Sequence, residues 1–255
     1  MTPAALFLSH GSPMMVLEDT PARRFLQTLG ERVGKPKAVV AVSAHWPTQV
    51  PAVGCAAWPD KINDIYGFPP DLYRLVYDAP GAPKVAAAAA ALLGPATRSD
   101  PGRGIDHGIW SVMSLIWPQA DVPVVPMSVQ PDRDARHHYE LGLRLRPLAA
   151  EGVMIIGTGA ATHNLGDYFR RPADAPVEPA MAAFTDWLAE ATVAGRIDDL
   201  LDYRVRAPGA TLAHPSDEHL LPFFTALGAA SGGRGQRIHH SMDSGVLAMD
   251  CYAFS

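Results

Sequence analysis

The chain has 255 residues, 48% hydrophobic and 18% charged, enough for one globular domain with a full core. Its 21 basic residues against 26 acidic ones give a formal charge of -5 without any Lys/Arg cluster, which argues against nucleic acid or an anionic membrane as partner. Cys55 and Cys251 are the sole cysteines, far apart and outside any metal-ligand spacing, so neither a disulfide framework nor a thiolate zinc site is supported. Met1-Thr2-Pro3 carries no basic stretch, and the apolar run after it is too short for a signal segment or a membrane span. The expectation is a soluble protein of a reducing, cytoplasmic compartment.

In chain order, Ala5-Leu6-Phe7-Leu8 is a short apolar run closed by Ser9-His10-Gly11, the pattern of a buried parallel strand. Thr20-Pro21 predicts an N-cap with proline at the first helical position, opening a helix to about Glu31. That helix would join the first strand to a second over Ala38–Val42 in a βαβ unit. Gln49–Ala57 alternates weakly, as a further strand would, and Tyr66-Gly67-Phe68-Pro69-Pro70 reads as a loop. Helices are predicted over Pro83–Leu93, from Asp106 as N-cap through Trp117, and over Arg133–Ala150, Pro179–Ala194 and Ser216–Ala229. Strands are predicted over Val122–Ser128, Val153–Ile156 and Gly245–Ala253. This alternation predicts an α/β fold, a single domain over residues 1–255 with a largely parallel central sheet flanked by helices.

The histidines carry the chemical signal. His10, His45 and His163 each follow an apolar run, with small or turn-forming neighbours, and so fall near the carboxyl ends of strands. In open α/β sheets that edge is where ligands bind, because helices cover the faces. Three imidazoles in one crevice suggest a metal. His107 lies in the glycine-rich Arg103-Gly104-Ile105-Asp106-His107-Gly108, where Asp106 reads as the helix cap. His214-Pro215-Ser216-Asp217-Glu218-His219 crowds two histidines and two carboxylates at a helix start; a helix dipole favours neutral imidazole there, the form that binds metal. His137 and His138, beside Arg133 and Arg136, read as solvated, and of His239 and His240 at most one faces inward. A nucleophile elbow, a P-loop and a dinucleotide fingerprint are all missing, which counts against serine-hydrolase and nucleotide chemistry.

Five ordered motifs now stand out: Leu8-Ser9-His10-Gly11-Ser12-Pro13, Val42-Ser43-Ala44-His45-Trp46, Asp106-His107-Gly108, Gly157-Thr158-Gly159 with Thr162-His163-Asn164-Leu165, and Glu218-His219-Leu220-Leu221-Pro222. Together they resemble the class III extradiol ring-cleaving dioxygenases, specifically the 4,5-DOPA extradiol dioxygenase-like branch, over nearly the whole chain. The resemblance implies non-haem Fe(II) held by His10, His45 and, where the wider class has a glutamate, His219, with Glu218 and His214 as neighbouring contenders. An all-histidine set would also admit Zn(II). The resemblance further implies His163 as the acid/base histidine and His107 as a second pocket histidine near substrate.

The reaction that the resemblance implies is opening of the ring of a DOPA-like catechol with O₂ to a muconic semialdehyde-type product, His163 taking the proton of the second hydroxyl. Trp46, Tyr66, Phe68 and Trp110 are candidate pocket walls, and Arg103 is the nearest candidate for binding a substrate carboxylate. Two other readings are a zinc hydrolase with Glu218 as base and a non-enzymatic relative that keeps the pocket for a partner.

Overall fold

The computed structural model describes residues 3–255; Met1 and Thr2, part of the stretch read above as lacking a leader, lie outside them. The strands are β1 (Ala5–Ser9), β2 (Ala38–Pro47), β3 (Ala52–Gly54), β4 (Arg98–Asp100), β5 (Val124–Val129), β6 (Val153–Gly159), β7 (Gly235–His239), β8 (Met242–Asp243), β9 (Leu247–Ala248) and β10 (Cys251–Phe254). Eight of them form one sheet in the order β4-β3-β5-β2-β6-β1-β10-β7, while β8 and β9 pair separately. The central β5, β2, β6 and β1 run parallel, and the sheet turns antiparallel at the β3/β5, β1/β10 and β10/β7 pairings. The parallel strands are near-continuous apolar runs because helices cover both of their faces.

Successive strand side chains point to opposite faces, and this splits the core in two. Phe7, Val40, Val42, Val125 and Ile155 pack with the helices Pro83–Leu93, Ala135–Ala150, Pro179–Ala194 and Leu221–Ala229. Leu6, Leu8, Val39, Val124, Met154 and Ile156 pack with the helices Pro21–Val33 and His107–Ile116. As expected, Thr20 caps the first of these helices, its hydroxyl accepting from Arg23 N at 3.1 Å.

Several local expectations give way to tertiary contacts. β6 lies between β1 and β2, so the predicted βαβ unit has another strand inserted in it. Gly157-Thr158-Gly159 continues β6 rather than turning away from it, and β2 runs on through His45 to Pro47 after a register shift beyond Val42. The weak Gln49–Ala57 strand shrinks to the three residues of β3, and Gly245–Ala253 divides into β9 and β10. The helix predicted from Ser216 begins only at Leu221, where Pro222 occupies the first turn and Leu220 is the N-cap. His219 therefore precedes the helix, and the dipole argument does not apply to it. His138 is fully buried rather than solvated, accepting from Gln130 N at 3.1 Å and donating through Nδ1 to Asp134 O at 2.9 Å. His137 is part-buried and pairs with Gln130 Oε1 at 3.1 Å.

Candidate active site

β1, β2 and β6 are neighbours, so their carboxyl ends bring His10 and His45 to the same edge of the sheet. The His10 and His45 Nε2 atoms face each other at 3.0 Å. His10 Nδ1 lies 3.0 Å from Thr158 Oγ1 on β6, and His45 N–H donates to Ser43 Oγ at 3.1 Å.

Asp106 does not use its side chain as a cap. It is buried under His45, accepting from Ser43 Oγ at 2.7 Å and pairing with Arg103, whose guanidinium also covers the Trp46 ring at 4.7 Å. The cap comes instead from Asp64 in a distant loop, which accepts from His107 N at 2.9 Å and from His107 Nδ1 at 2.8 Å. One carboxylate thus satisfies a helix N-terminus and orients the first imidazole of that helix. Burial works against the charged form of Asp64, yet these hydrogen bonds hold its pKa below the ordinary carboxylate value.

The turn before Leu221–Ala229 delivers His219. Gly159 makes this possible: a Cβ there would stand 2.0 Å from the His219 carbonyl oxygen, and one on Gly157 would stand 2.2 Å from that of Pro222. Strand and turn meet at backbone distance only because both residues are glycine. His219 Nδ1 bonds Glu218 Oε1 at 2.9 Å, while its Nε2 is buried without a partner. The His163 ring stacks on His219 with centroids 3.4 Å apart, and His163 Nδ1 stands 3.9 Å from the same Glu218 oxygen. His214 does not line the cavity; it is buried against Phe184 and Tyr203 and donates through Nε2 to Ala161 O at 2.8 Å.

Two neighbouring ligand sets result. Ring nitrogens of His10, His45 and His107 lie within 4.8 Å of one another, as do donor atoms of His163, Glu218 and His219. The His219 ring is 4.9 Å from that of His45 and 5.5 Å from that of His10, so the sets share one crevice. Burial, reinforced by neighbouring imidazoles, pulls His10 and His219 far below the ordinary histidine value and His45 to about 3. His163 also falls, to about 4, because burial outweighs the opposing pull of Glu218. These four imidazoles are neutral at pH 7, with lone pairs free for a cation. Facing nitrogens, an orphaned buried Nε2 and carboxylates behind two of the rings make a donor set that fits a divalent transition metal.

A cavity of about 430 Å³ opens over these rings, lined by all five histidines and by Ser12, Asp64, Tyr66, Phe68, Leu165, Tyr168, Phe169, Leu247 and Met249, among others. Tyr66 and Phe68 are walls as expected. Trp46 and Trp110 are not: Trp46 lies under Arg103, and buried Trp110 donates to Ile62 O at 3.1 Å. Arg103 is committed to Asp106 and does not reach the cavity.

Over residues 4–254 the chain matches the family described as the catalytic LigB subunit of aromatic ring-opening dioxygenase. The chain belongs to that family. The chain is 41% identical over 257 residues to a Beta vulgaris protein named 4,5-DOPA dioxygenase extradiol, covering 98% of this chain and 95% of that one. It is 39% identical to an Escherichia coli K12 protein of the same name, covering 89% and 85%, and 37% identical to dioxygenase tasH of Hapsidospora irregularis, covering 97% and 83%. A crystal structure of an uncharacterized E. coli K12 protein superposes over the full length of both chains with a TM-score of 0.84 at 32% identity. The chain is thus an oxidoreductase of a metal-dependent ring-opening dioxygenase family, acting with O₂ on a small molecule.

Sequence reasoning missed Asp64, Thr158, Tyr168 and Phe169 as parts of the site. Asp64 sits in Ile62-Asn63-Asp64, with no local pattern to mark it.

Proposed function

We propose that this protein is an Fe(II)-dependent catechol dioxygenase that opens the ring outside the diol to a muconic semialdehyde-type product. The convergence of five imidazoles on one cavity of about 430 Å³ carries this reading. His10, His45 and His219 would hold the metal: the first two present facing Nε2 atoms, and the third has a buried Nε2 that nothing else satisfies. Bound Fe(II) would acidify the catechol and give redox access to O₂; Zn(II) would fit the same nitrogens without that access.

The protein's own groups handle the protons and the geometry. His163, neutral and exposed to the cavity, takes the proton of the second catechol hydroxyl, and Glu218 at 3.9 Å stabilises the imidazolium that forms. Asp64 fixes His107 with its Nδ1 engaged, so Nε2 is the nitrogen left for substrate. Phe68 and Met249 exclude water around the ring. Among the described residues no helix is long and apolar enough to cross a membrane.

Oxygen uptake on the Fe(II)-reconstituted protein with a panel of catechols tests the reading. Catechol-dependent uptake with a yellow semialdehyde product is the expected result; anaerobic cleavage of esters or amides instead would replace it with hydrolysis.

A further inference from the structure

We infer that Arg204, outside the cavity, is a positioning residue: it clamps the turn that aims Glu218 and His219 into the site. The inference rests on the metal-site reading above, in which His219 is a ligand. His214 and His219 are both buried and fastened to the chain just beyond β6, His214 Nε2 donating to Ala161 O at 2.8 Å and His219 O accepting from Ala160 N at 2.9 Å. Between these two anchors Pro215 and Ser216 are exposed. Arg204 spans that stretch from outside the turn. Its Nη1 donates to His214 O at 2.5 Å and pairs with the buried Oδ1 of Asp217 at 2.7 Å. The Asp217 carbonyl accepts in turn from Leu220 N at 2.9 Å and Leu221 N at 3.1 Å, where the helix Leu221–Ala229 begins. One guanidinium thus holds the turn at its entry and, through Asp217, at its exit.

This pairing is not a by-product of helix geometry. Arg206, on the same helical turn Tyr203–Arg206, pairs with Asp202 at i,i+4, and Arg196 pairs with Asp199 at i,i+3, whereas Arg204 reaches ten residues along the chain to the turn of the site. Glu218 directly follows the clamped Asp217, and its Oε1 meets His219 Nδ1 at 2.9 Å and His163 Nδ1 at 3.9 Å. Without Arg204, Asp217 would be a half-buried carboxylate stripped of its counter-ion. It regains water by pulling the turn outward, and that movement carries Glu218 and His219 with it. The result is a His219 Nε2 that no longer converges with those of His10 and His45.

Calorimetric titration of the metal-free protein with Zn(II) tests the clamp in Arg204→Ala, Arg204→Lys, Asp217→Asn and the Arg204→Ala/Asp217→Asn pair. Affinity should fall about tenfold in Arg204→Ala, the low end of the range for groups that orient ligands from behind. Arg204→Lys, which keeps a charge and several donors, should recover part of it. The double variant should lose no more than the worse single one, because both substitutions open the same clamp. Tm should move little, since the ion pair is partly exposed, and Arg206→Ala should leave affinity unchanged. In the metal-free protein, amide exchange at Leu220 and Leu221 should quicken in Arg204→Ala and not in Arg206→Ala. Parental affinity in Arg204→Ala, a loss equalled by Arg206→Ala, or additive losses in the double variant overturns the inference, as does unaltered exchange at the two leucines. If His219→Ala keeps its affinity for Zn(II) while exchange still quickens in Arg204→Ala, the clamp on the turn stands and the assignment of His219 as a ligand falls.

Discussion

Thr158 sets the tautomer of His10. Its hydroxyl proton goes to the Gly108 carbonyl at 2.6 Å, so its oxygen can only accept from His10 Nδ1 at 3.0 Å. His10 must then carry its proton on Nδ1 and turn a bare Nε2 lone pair toward His45. Thr158→Val keeps the shape and removes the acceptor. Metal affinity should fall about 10- to 100-fold with the fold intact, and Thr158→Ser should restore it. Fe(II) titration monitored by calorimetry checks this, and an unchanged affinity in the Val variant would remove the hydroxyl from the metal's support.

Single replacements His10→Ala, His45→Ala and His219→Ala should each abolish most bound metal while leaving the circular dichroism of the fold unchanged. His107→Ala is the informative comparison, because His107 forms the tighter geometric set with His10 and His45. It should retain metal. If His107→Ala loses the ion and His219→Ala keeps it, the third ligand is His107; metal content by mass spectrometry decides.

His163→Ala should lose turnover by about 10²- to 10⁴-fold while keeping its metal and its affinity for catechol, the pattern of a lost general base. The deficit should shrink for a nitrocatechol, whose second hydroxyl ionises without help. Loss of metal in this variant would instead make His163 a ligand.

Gly159→Ala tests the backbone approach that seats His219. The new Cβ would overlap the His219 carbonyl oxygen, which also accepts from Ala160 N at 2.9 Å, so the turn must move. A loss of about 1–3 kcal/mol in stability is expected, together with weakened metal binding. Chemical denaturation and metal titration on one preparation check both, and a variant as stable and as metal-avid as the parent would show that the turn yields freely.

His138 gives the metal-free protein a pH dependence of known sign. Burial lowers its folded pKa to about 4, against about 6.5 in the unfolded chain. Between those values the unfolded chain binds more protons, so this contribution is complete above pH 6.5 and disappears as the pH falls toward 4, about 3 kcal/mol in all. His240 acts oppositely: its hydrogen bond to Asp250 raises its pKa, so its contribution is full at low pH and is lost as pH rises through the folded value. It is half exposed and hence the weaker effect. The Tm of the metal-free protein should drop between pH 7 and pH 4.5, with a shallower drop in His138→Gln. Equal slopes in the two proteins would contradict the assignment.

The sequence by itself determined the α/β class, the central strands and most helices, because continuous apolar runs, the Thr20 cap and the alanine run of Pro83–Leu93 are local signals. It also marked His10, His45, His107, His163 and His219, whose motifs lie in or beside those elements. What the tertiary structure alone decided is how the imidazoles are aimed. Asp64, Thr158 and Glu218 orient them through hydrogen bonds, two of which span 43 and 148 residues of chain. Gly157 and Gly159 look like turn residues in sequence but are strand residues, since their lack of a Cβ serves a contact with the His219–Pro222 backbone that no local pattern encodes. His138 reads as a surface residue between charged neighbours, yet its burial depends on a backbone amide eight residues away at the end of β5. Periodicity and composition record which face of an element is apolar; they carry nothing about which distant polar group completes a buried hydrogen bond, and in this site those bonds hold the reactive nitrogens in place.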